Sequence, residues 1–154
     1  MNRSQRGMAM VELAILMPLL VMLVFGVFEL GRALYQEQLI TKAATAGARY
    51  MTRAYGALDQ DCATQSSWDS AVDNAKTLTV FAGQETPLIT NLELSDVAVA
   101  VTRRVLPSPA SPVCVIQLTV TLPFASIFGE TLVPFTSIGV MTLNASAEAV
   151  YIGE

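Results

Sequence analysis

Three side chains stand out for the chemistry that their surroundings would allow: Glu12, Cys62 and Cys114. Glu12 is a carboxylate inside a run of apolar residues, and the two cysteines are the only thiols in the chain. The sequence contains no histidine, so the usual general base and the commonest metal ligand are missing. It also lacks a G-x-S-x-G nucleophile elbow and a C-x-x-C redox pair. We therefore expect no enzymatic activity, no metal, no cofactor and no small-molecule substrate.

The apolar run around Glu12 extends from Met8 to Phe28. As a helix it would be about 31 Å long, close to the thickness of the hydrocarbon core of a bilayer. The alternative is a cleavable secretory signal, whose apolar region would have about 7–15 residues before a small-residue cleavage site. This run is longer, and Glu29, Gly31 and Arg32 follow it on a continuing helical pattern. The sequence therefore predicts a retained membrane-spanning helix at residues 8–28.

The charges on either side of the run predict its orientation. Residues 1–7 form a short basic leader through Arg3 and Arg6, and no basic cluster closely follows residue 28. The positive-inside rule then puts the N-terminus in the cytoplasm, with the chain exported from about residue 30 onward. The formal net charge of −4 argues against a nucleic-acid partner, which would require a basic surface.

The spacing between Gly7 and Glu12 suggests a processing site. A cut after Gly7 would make Met8 the first residue and Glu12 the fifth. The segment RGMAMVE then resembles the processing site of type IV prepilins, which a membrane peptidase cuts after the glycine. In that family the glutamate is thought to pair with the new amino terminus of a neighbouring subunit. The alternative is a tolerated glutamate near the cytoplasmic edge of the membrane, where it can reach the interface at lower cost.

A longer stretch of the N-terminal third resembles the TadE-like family. The matching features are Gly7, Val11-Glu12, Pro18, Gly26 and Gly47-Ala48-Arg49. The later segments 118–124 and 141–147 are more loosely similar to strands of the same family.

The resemblance implies a non-enzymatic minor pilin or pseudopilin of Tad (Flp) pilus assembly in the bacterial inner membrane. Its expected partners are the membrane, a prepilin peptidase, other pilin or pseudopilin subunits and the pilus assembly platform, and it could itself enter the pilus. The alternative is an uncleaved, membrane-anchored scaffold subunit of the pilus or of a related secretion machine.

Beyond the membrane segment, residues 29–54 predict an amphipathic continuation of the helix. We expect one helix from about residue 9 to residue 54, kinked or loosened at Pro18. On its apolar side lie the small residues Ala44, Gly47 and Ala48. They either seat the helix against the protein's own sheet or allow close contact with a helix of another subunit.

Residues 55–154 predict a small exported α+β domain. Ser66 or Ser67 is expected to cap a helix that begins near Trp68 and ends near Ala82. Alternating apolar residues predict strands at 96–105, 114–122 and 141–151. The fold class is therefore α+β and pilin-like, with two helices and an antiparallel sheet of about three to four strands.

Two loops are expected between the strands. Pro107, Pro109 and Pro112 predict a turn or loop before the second strand. A second loop, 124–135, holds several large apolar residues. These are Phe124, Ile127, Phe128, Leu132 and Phe135. They form either a small satellite core or an apolar contact patch for a partner subunit.

Because both cysteines lie in the part predicted to be exported, we expect a disulfide between Cys62 and Cys114. It would close a loop of about 50 residues and stabilise the domain by roughly 4 kcal/mol in the chain-entropy estimate. The alternative is two buried free thiols.

Overall fold

The computed structural model describes residues 3–105, 107, 112–129, 131, 139 and 141–153. It contains a long helix, a second helix, a short 3-10 helix and three strands in a single sheet. These are α1 (Arg3–Thr52), α2 (Trp68–Phe81), the 3-10 helix Leu94–Asp96, β1 (Val97–Val105), β2 (Pro112–Pro123) and β3 (Thr142–Val150). The predicted α+β class is confirmed, with three strands in the sheet.

The sheet is antiparallel throughout, in the order β1-β2-β3. Its register aligns the alternating apolar residues of the three strands on one face: Leu118 of β2 lies opposite Val99 of β1 and Ala147 of β3. The central strand is the most deeply buried, and Ile116, Leu118 and Val120 are all fully inaccessible to solvent. Burial therefore follows the period-two pattern of the sequence, except at Val115, which is buried together with its two neighbours.

The other face of the sheet is largely polar and carries a paired salt bridge. Both terminal nitrogens of Arg104 in β1 donate hydrogen bonds of 2.8 Å to the carboxylate oxygens of Glu148 in β3. These hydrogen bonds and the negative charge of Glu148 raise the pKa of Arg104. Both side chains are exposed, so the pair fixes geometry on this face more than it adds stability.

Helix α1 and strand β2 both begin earlier in the chain than predicted. Helix α1 begins at Arg3, before the predicted start at residue 9, since the polar leader contains no proline that would stop it. Pro112 is not part of the loop but the first residue of β2, paired with Val105. The first position of a strand tolerates proline because its missing N–H need not join the ladder. Pro109 lies outside the described residues.

The C-terminal end of α1 is closed by the tail of the chain. The Thr52 carbonyl accepts hydrogen bonds from the backbone N–H groups of Ile152 (2.9 Å) and Gly153 (3.2 Å). The hydroxyl of Tyr151 donates to the Ala54 carbonyl at 2.7 Å and accepts from the N–H of Ala57 at 3.2 Å. Carbonyls that a helix end leaves without partners are thus satisfied from a distant part of the sequence.

Helix α2 follows its prediction in extent and in its N-cap residue, but not in the capping hydrogen bond. Ser67 occupies the N-cap position, but its side chain makes no capping hydrogen bond and donates instead to the Tyr55 carbonyl at 3.2 Å. At the other end, Ala82 adopts a left-handed conformation, and its N–H bonds the Leu78 carbonyl. The hydroxyl of Ser67 therefore ties down the loop after α1 rather than starting α2.

The chain divides into two compact units. The first comprises Met1–Leu34 with Phe124–Met141, and the second comprises Tyr35–Pro123 with Thr142–Glu154. The second unit holds the sheet, α2, the last part of α1 and the disulfide.

Candidate functional site

The residues of the predicted processing site lie near the start of α1. Gly7, Met8 and Glu12 are all exposed, and the Met8 side chain is 74% accessible. Met8 and Glu12 are four residues apart in the helix, which puts them on the same side, one turn apart. If the chain is cut after Gly7, the new amino group is carried by the residue one turn before the carboxylate. The Gly7–Met8 peptide bond itself lies inside α1.

The apolar part of α1 is not used to build the core of the described protein. The helix is long and apolar enough to cross a membrane, and none of its most apolar stretch is buried. A core helix of a soluble protein would satisfy the same test of length and composition, but it would be mostly buried. Most of the large side chains from Met8 to Phe28 are instead exposed, including Leu19 at 64% and Val27 at 64%. This surface is suited to lipid or to other helices.

Just after the apolar run, Glu29 is buried and fully engaged. Its side chain is only 1% exposed. One carboxylate oxygen accepts a hydrogen bond from the Ile127 backbone N–H at 3.0 Å, and the other accepts from the Arg32 guanidinium at 2.9 Å. A buried carboxylate is tolerated when it has both an opposite charge and hydrogen-bond donors. Glu29 therefore fastens the segment around Ile127 to α1.

Arg32 makes two further contacts with the same segment. Its guanidinium lies over the ring of Phe124, 4.6 Å from the ring centre, in a cation–π contact. It also donates a hydrogen bond to the Ala125 carbonyl. About two turns before Arg32 in the helix, the Phe25 ring meets Phe128 edge to face, with centres 5.3 Å apart. We refer to residues 124–129 as the docked loop.

The docked loop agrees in part with each of the two structures predicted for this segment, a small satellite core and an apolar contact patch. Phe124 is 1% exposed, as a satellite core requires, whereas Ile127 is 59% exposed, as a contact patch requires. Phe128 lies between these extremes. Leu132 and Phe135 lie outside the described residues. The ion pair that holds the loop was not predicted, although Glu29 and Arg32 have the i, i+3 spacing of a helical salt bridge.

The small residues of α1 are buried within the second unit. Ala44 is fully inaccessible and Ala48 is 1% exposed. Gly47 lies against α2 and the sheet, so that a Cβ at this position would lie 2.7 Å from the Leu118 side chain and would overlap the Thr79 hydroxyl. In the isolated chain these residues therefore seat α1 against the protein's own sheet and second helix.

The predicted disulfide between Cys62 and Cys114 is present, with Cα atoms 5.4 Å apart. Cys62 sits in a loop organised by Asp59, whose carboxylate accepts the N–H groups of Asp61 and Ala63 at 2.9 and 2.8 Å. Cys62 itself has a positive φ of 65°, a conformation that costs energy for a residue with a Cβ. The disulfide holds this unfavourable turn against β2.

Residues 7–49 match the model of the TadE-like protein family. The match confirms the resemblance predicted from Gly7, Glu12 and the Gly47-Ala48-Arg49 segment, and it begins and ends at those features. All of it lies in α1. No curated protein and no solved structure matches the chain.

The TadE-like family is a structural and non-enzymatic family associated with Tad pilus assembly. The matched region contains the exposed apolar surface, Glu29 with Arg32, and the buried small residues. The sheet, α2 and the disulfide lie beyond it, so their description comes from the structure alone. The TadE-like segment thus accounts for the part of the chain that could enter a membrane.

Proposed function

We propose that this protein is a non-enzymatic, TadE-like minor pilin or pseudopilin of the Tad (Flp) pilus. It is inserted in the bacterial inner membrane with its N-terminus in the cytoplasm, and residues 55–154 form an exported domain. A prepilin peptidase removes the leader 1–7. The subunit then joins other pilin or pseudopilin subunits on the assembly platform through residues 8–28 and their continuation at 29–54.

The observation that carries this proposal is the family match over residues 7–49. Its first residue is the glycine of the proposed cleavage site, and it includes a helix whose apolar surface is left exposed. An exposed surface of this size is costly in water but suits a helix surrounded by lipid or by other subunits. Membrane anchoring and assembly through the helix together explain that exposure.

Cleavage supplies the charge that makes Glu12 useful. It creates an ammonium group on Met8, and a carboxylate and an ammonium attract strongly in a medium of low dielectric constant. Each charge alone would be costly inside the membrane, so an arriving subunit gains by pairing its amino terminus with a neighbour's Glu12. This pairing would set the axial position of one helix against the next.

Substitution of Glu12 tests the proposal. Glu12→Ala is expected to leave membrane insertion intact, because it removes only a charge, and to reduce pilus formation strongly. Glu37→Ala is the matched control, since Glu37 is an exposed glutamate on the same helix beyond the apolar run. Membrane fractionation and counts of surface pili are the measurements. Normal piliation with Glu12→Ala would contradict the proposed charge pairing.

A second function is favoured by one observation: the Gly7–Met8 bond lies inside α1, where its backbone groups belong to helical hydrogen bonding. An uncleaved subunit would retain this helix and act as a membrane-anchored scaffold of the pilus or of a related secretion machine. The N-terminal residue of the protein in its native membrane separates the two functions. Met8 supports the pseudopilin, and Met1 supports the scaffold.

A further inference from the structure

The docked loop reaches back alongside the apolar part of α1. The Ile127 N–H bonds Glu29, one residue past the end of the apolar run, while Phe128 meets Phe25, inside the run. Phe25 and Glu29 are four positions apart, which corresponds to about 6 Å along a helix axis. The loop therefore does not merely approach the end of the apolar segment but overlaps its last turn.

The docked loop continues the apolar surface of the helix. Its sequence, FASIFG, contains no charged residue. Ile127 is 59% exposed, and on the helix beside it Phe25 and Phe28 are 39% and 59% exposed. The cationic head of Arg32 covers the buried Phe124 ring on the other side of the contact. Apolar side chains such as Ile127 lie next to the membrane segment, and the charged Arg32 lies on the opposite side of the loop. This arrangement is typical of a structure at a lipid–water boundary.

Several backbone groups of the docked loop have hydrogen-bond partners within the protein. Irregular backbone is tolerated at membrane depth only when protein groups satisfy its N–H and C=O groups. Here the N–H of Ile127 bonds Glu29, the N–H of Phe128 bonds the Ser126 hydroxyl at 3.1 Å, and the N–H of Gly129 bonds the Ser126 carbonyl at 3.3 Å. The Ala125 carbonyl accepts from Arg32. These partners reduce the cost of placing this part of the loop in surroundings poor in water.

We infer that the docked loop is a second membrane contact, in which Ile127 and Phe128 enter the lipid at the exported face of the bilayer. The inference rests on the proposed function, because it requires α1 to span the membrane. The occupant of this surface is lipid, at the boundary between headgroups and acyl chains. Glu29 and Arg32 are positioning residues, which hold the loop at the depth of Phe25. The protein is thereby fixed in depth by two segments instead of one.

Tryptophan scanning in vesicles tests this inference. The single native tryptophan is replaced by Trp68→Phe, and Ile127→Trp, Val24→Trp or Tyr55→Trp is added to the full chain. Each variant is reconstituted in phosphatidylcholine vesicles, with or without lipids brominated near the headgroup end of the acyl chain. Val24 and Tyr55 are matched exposed positions, 63% and 81% accessible, in the apolar run and after α1. If Trp68→Phe disturbs folding, each added tryptophan is placed in the protein that keeps Trp68. Its fluorescence is then obtained by subtracting the emission of the wild-type protein.

The expected result is blue-shifted emission and loss of intensity with brominated lipid for Ile127→Trp and Val24→Trp, but not for Tyr55→Trp. Quenching of Val24→Trp without quenching of Ile127→Trp would overturn the inference and leave the proposed membrane insertion intact. An Ile127→Trp signal that is shielded from aqueous iodide but not quenched by lipid would indicate a protein neighbour and would also overturn it. If Val24→Trp is not quenched, the proposed membrane insertion fails, and this inference fails with it.

Discussion

At the scale of single residues, two glutamates of α1 have different surroundings. Glu12 is exposed, within the apolar run. Glu29 is buried and divides its carboxylate between Arg32 and the Ile127 N–H. The first is free to meet a partner from another subunit, as proposed for assembly. The second is engaged in holding the chain's own loop, so the two carboxylates are not interchangeable.

Removal of the Glu29 carboxylate is expected to release the docked loop. In Glu29→Ala, the Ile127 N–H and Arg32 lose a buried partner, and an unsatisfied group of this kind costs about 1–3 kcal/mol. Amide hydrogen exchange at Ile127 and Phe128 should then become faster in detergent or nanodiscs. Glu37→Ala is the matched control and should leave exchange at these positions unchanged. Equal protection of Ile127 in wild type and Glu29→Ala would contradict the structural role of Glu29.

Gly47 in α1 has no room for a side chain. In Gly47→Ala the new methyl group would meet Leu118 and overlap Thr79, and overpacking of this kind costs about 1–3 kcal/mol. Denaturant unfolding followed by Trp68 fluorescence should show this loss of stability.

Gly31→Ala provides the control for Gly47→Ala, because it makes the same change in the same helix where a Cβ would meet nothing within 4 Å. It should be neutral or stabilising, by up to about 1 kcal/mol, because alanine favours the helix. Equal stability of Gly47→Ala and wild type would mean that α1 does not pack closely on the sheet.

At the scale of elements, the periodicity of apolar residues predicted the helices and strands more reliably than capping residues predicted local hydrogen bonds. The burial of β2 follows directly from its alternating residues, and the extent of α2 follows from its small and apolar face. Ser67 is the N-cap residue, as predicted, but its hydroxyl makes no capping hydrogen bond. A serine hydroxyl has several backbone partners within reach, and its choice of Tyr55 depends on how the preceding loop folds. The docked loop was likewise beyond prediction in detail, since its partner Glu29 is far away in sequence.

The disulfide should be the largest single contribution to the stability of the second unit. It joins residues 52 positions apart, for which the loop-closure estimate is about 4 kcal/mol. The double variant Cys62→Ser/Cys114→Ser should lose about this much unfolding free energy in guanidinium titrations. Reduction of the wild-type protein with dithiothreitol should cause a similar loss. If neither treatment changes the unfolding midpoint, the disulfide does not stabilise the fold.

At the scale of the whole molecule, one part of the chain matches the TadE-like family model and the remainder does not. The TadE-like match covers residues 7–49, where sequence signals such as Gly7 and the apolar run could be interpreted directly. The rest, including the sheet, has no match to a curated protein or a solved structure, and its strands were predicted mainly from the alternation of residue types. Processing and assembly were inferred from the first part, because it contains the glycine and the glutamate of the predicted processing site.

The intact mass of the protein extracted from its native membrane tests the central claim most directly. The account predicts a mature chain that begins at Met8 and keeps the entire apolar run, so that Glu12 is its fifth residue. A mass for the chain beginning at Met1 would contradict the pseudopilin function and support the scaffold. A soluble product that lacks the apolar segment 8–28 would contradict both.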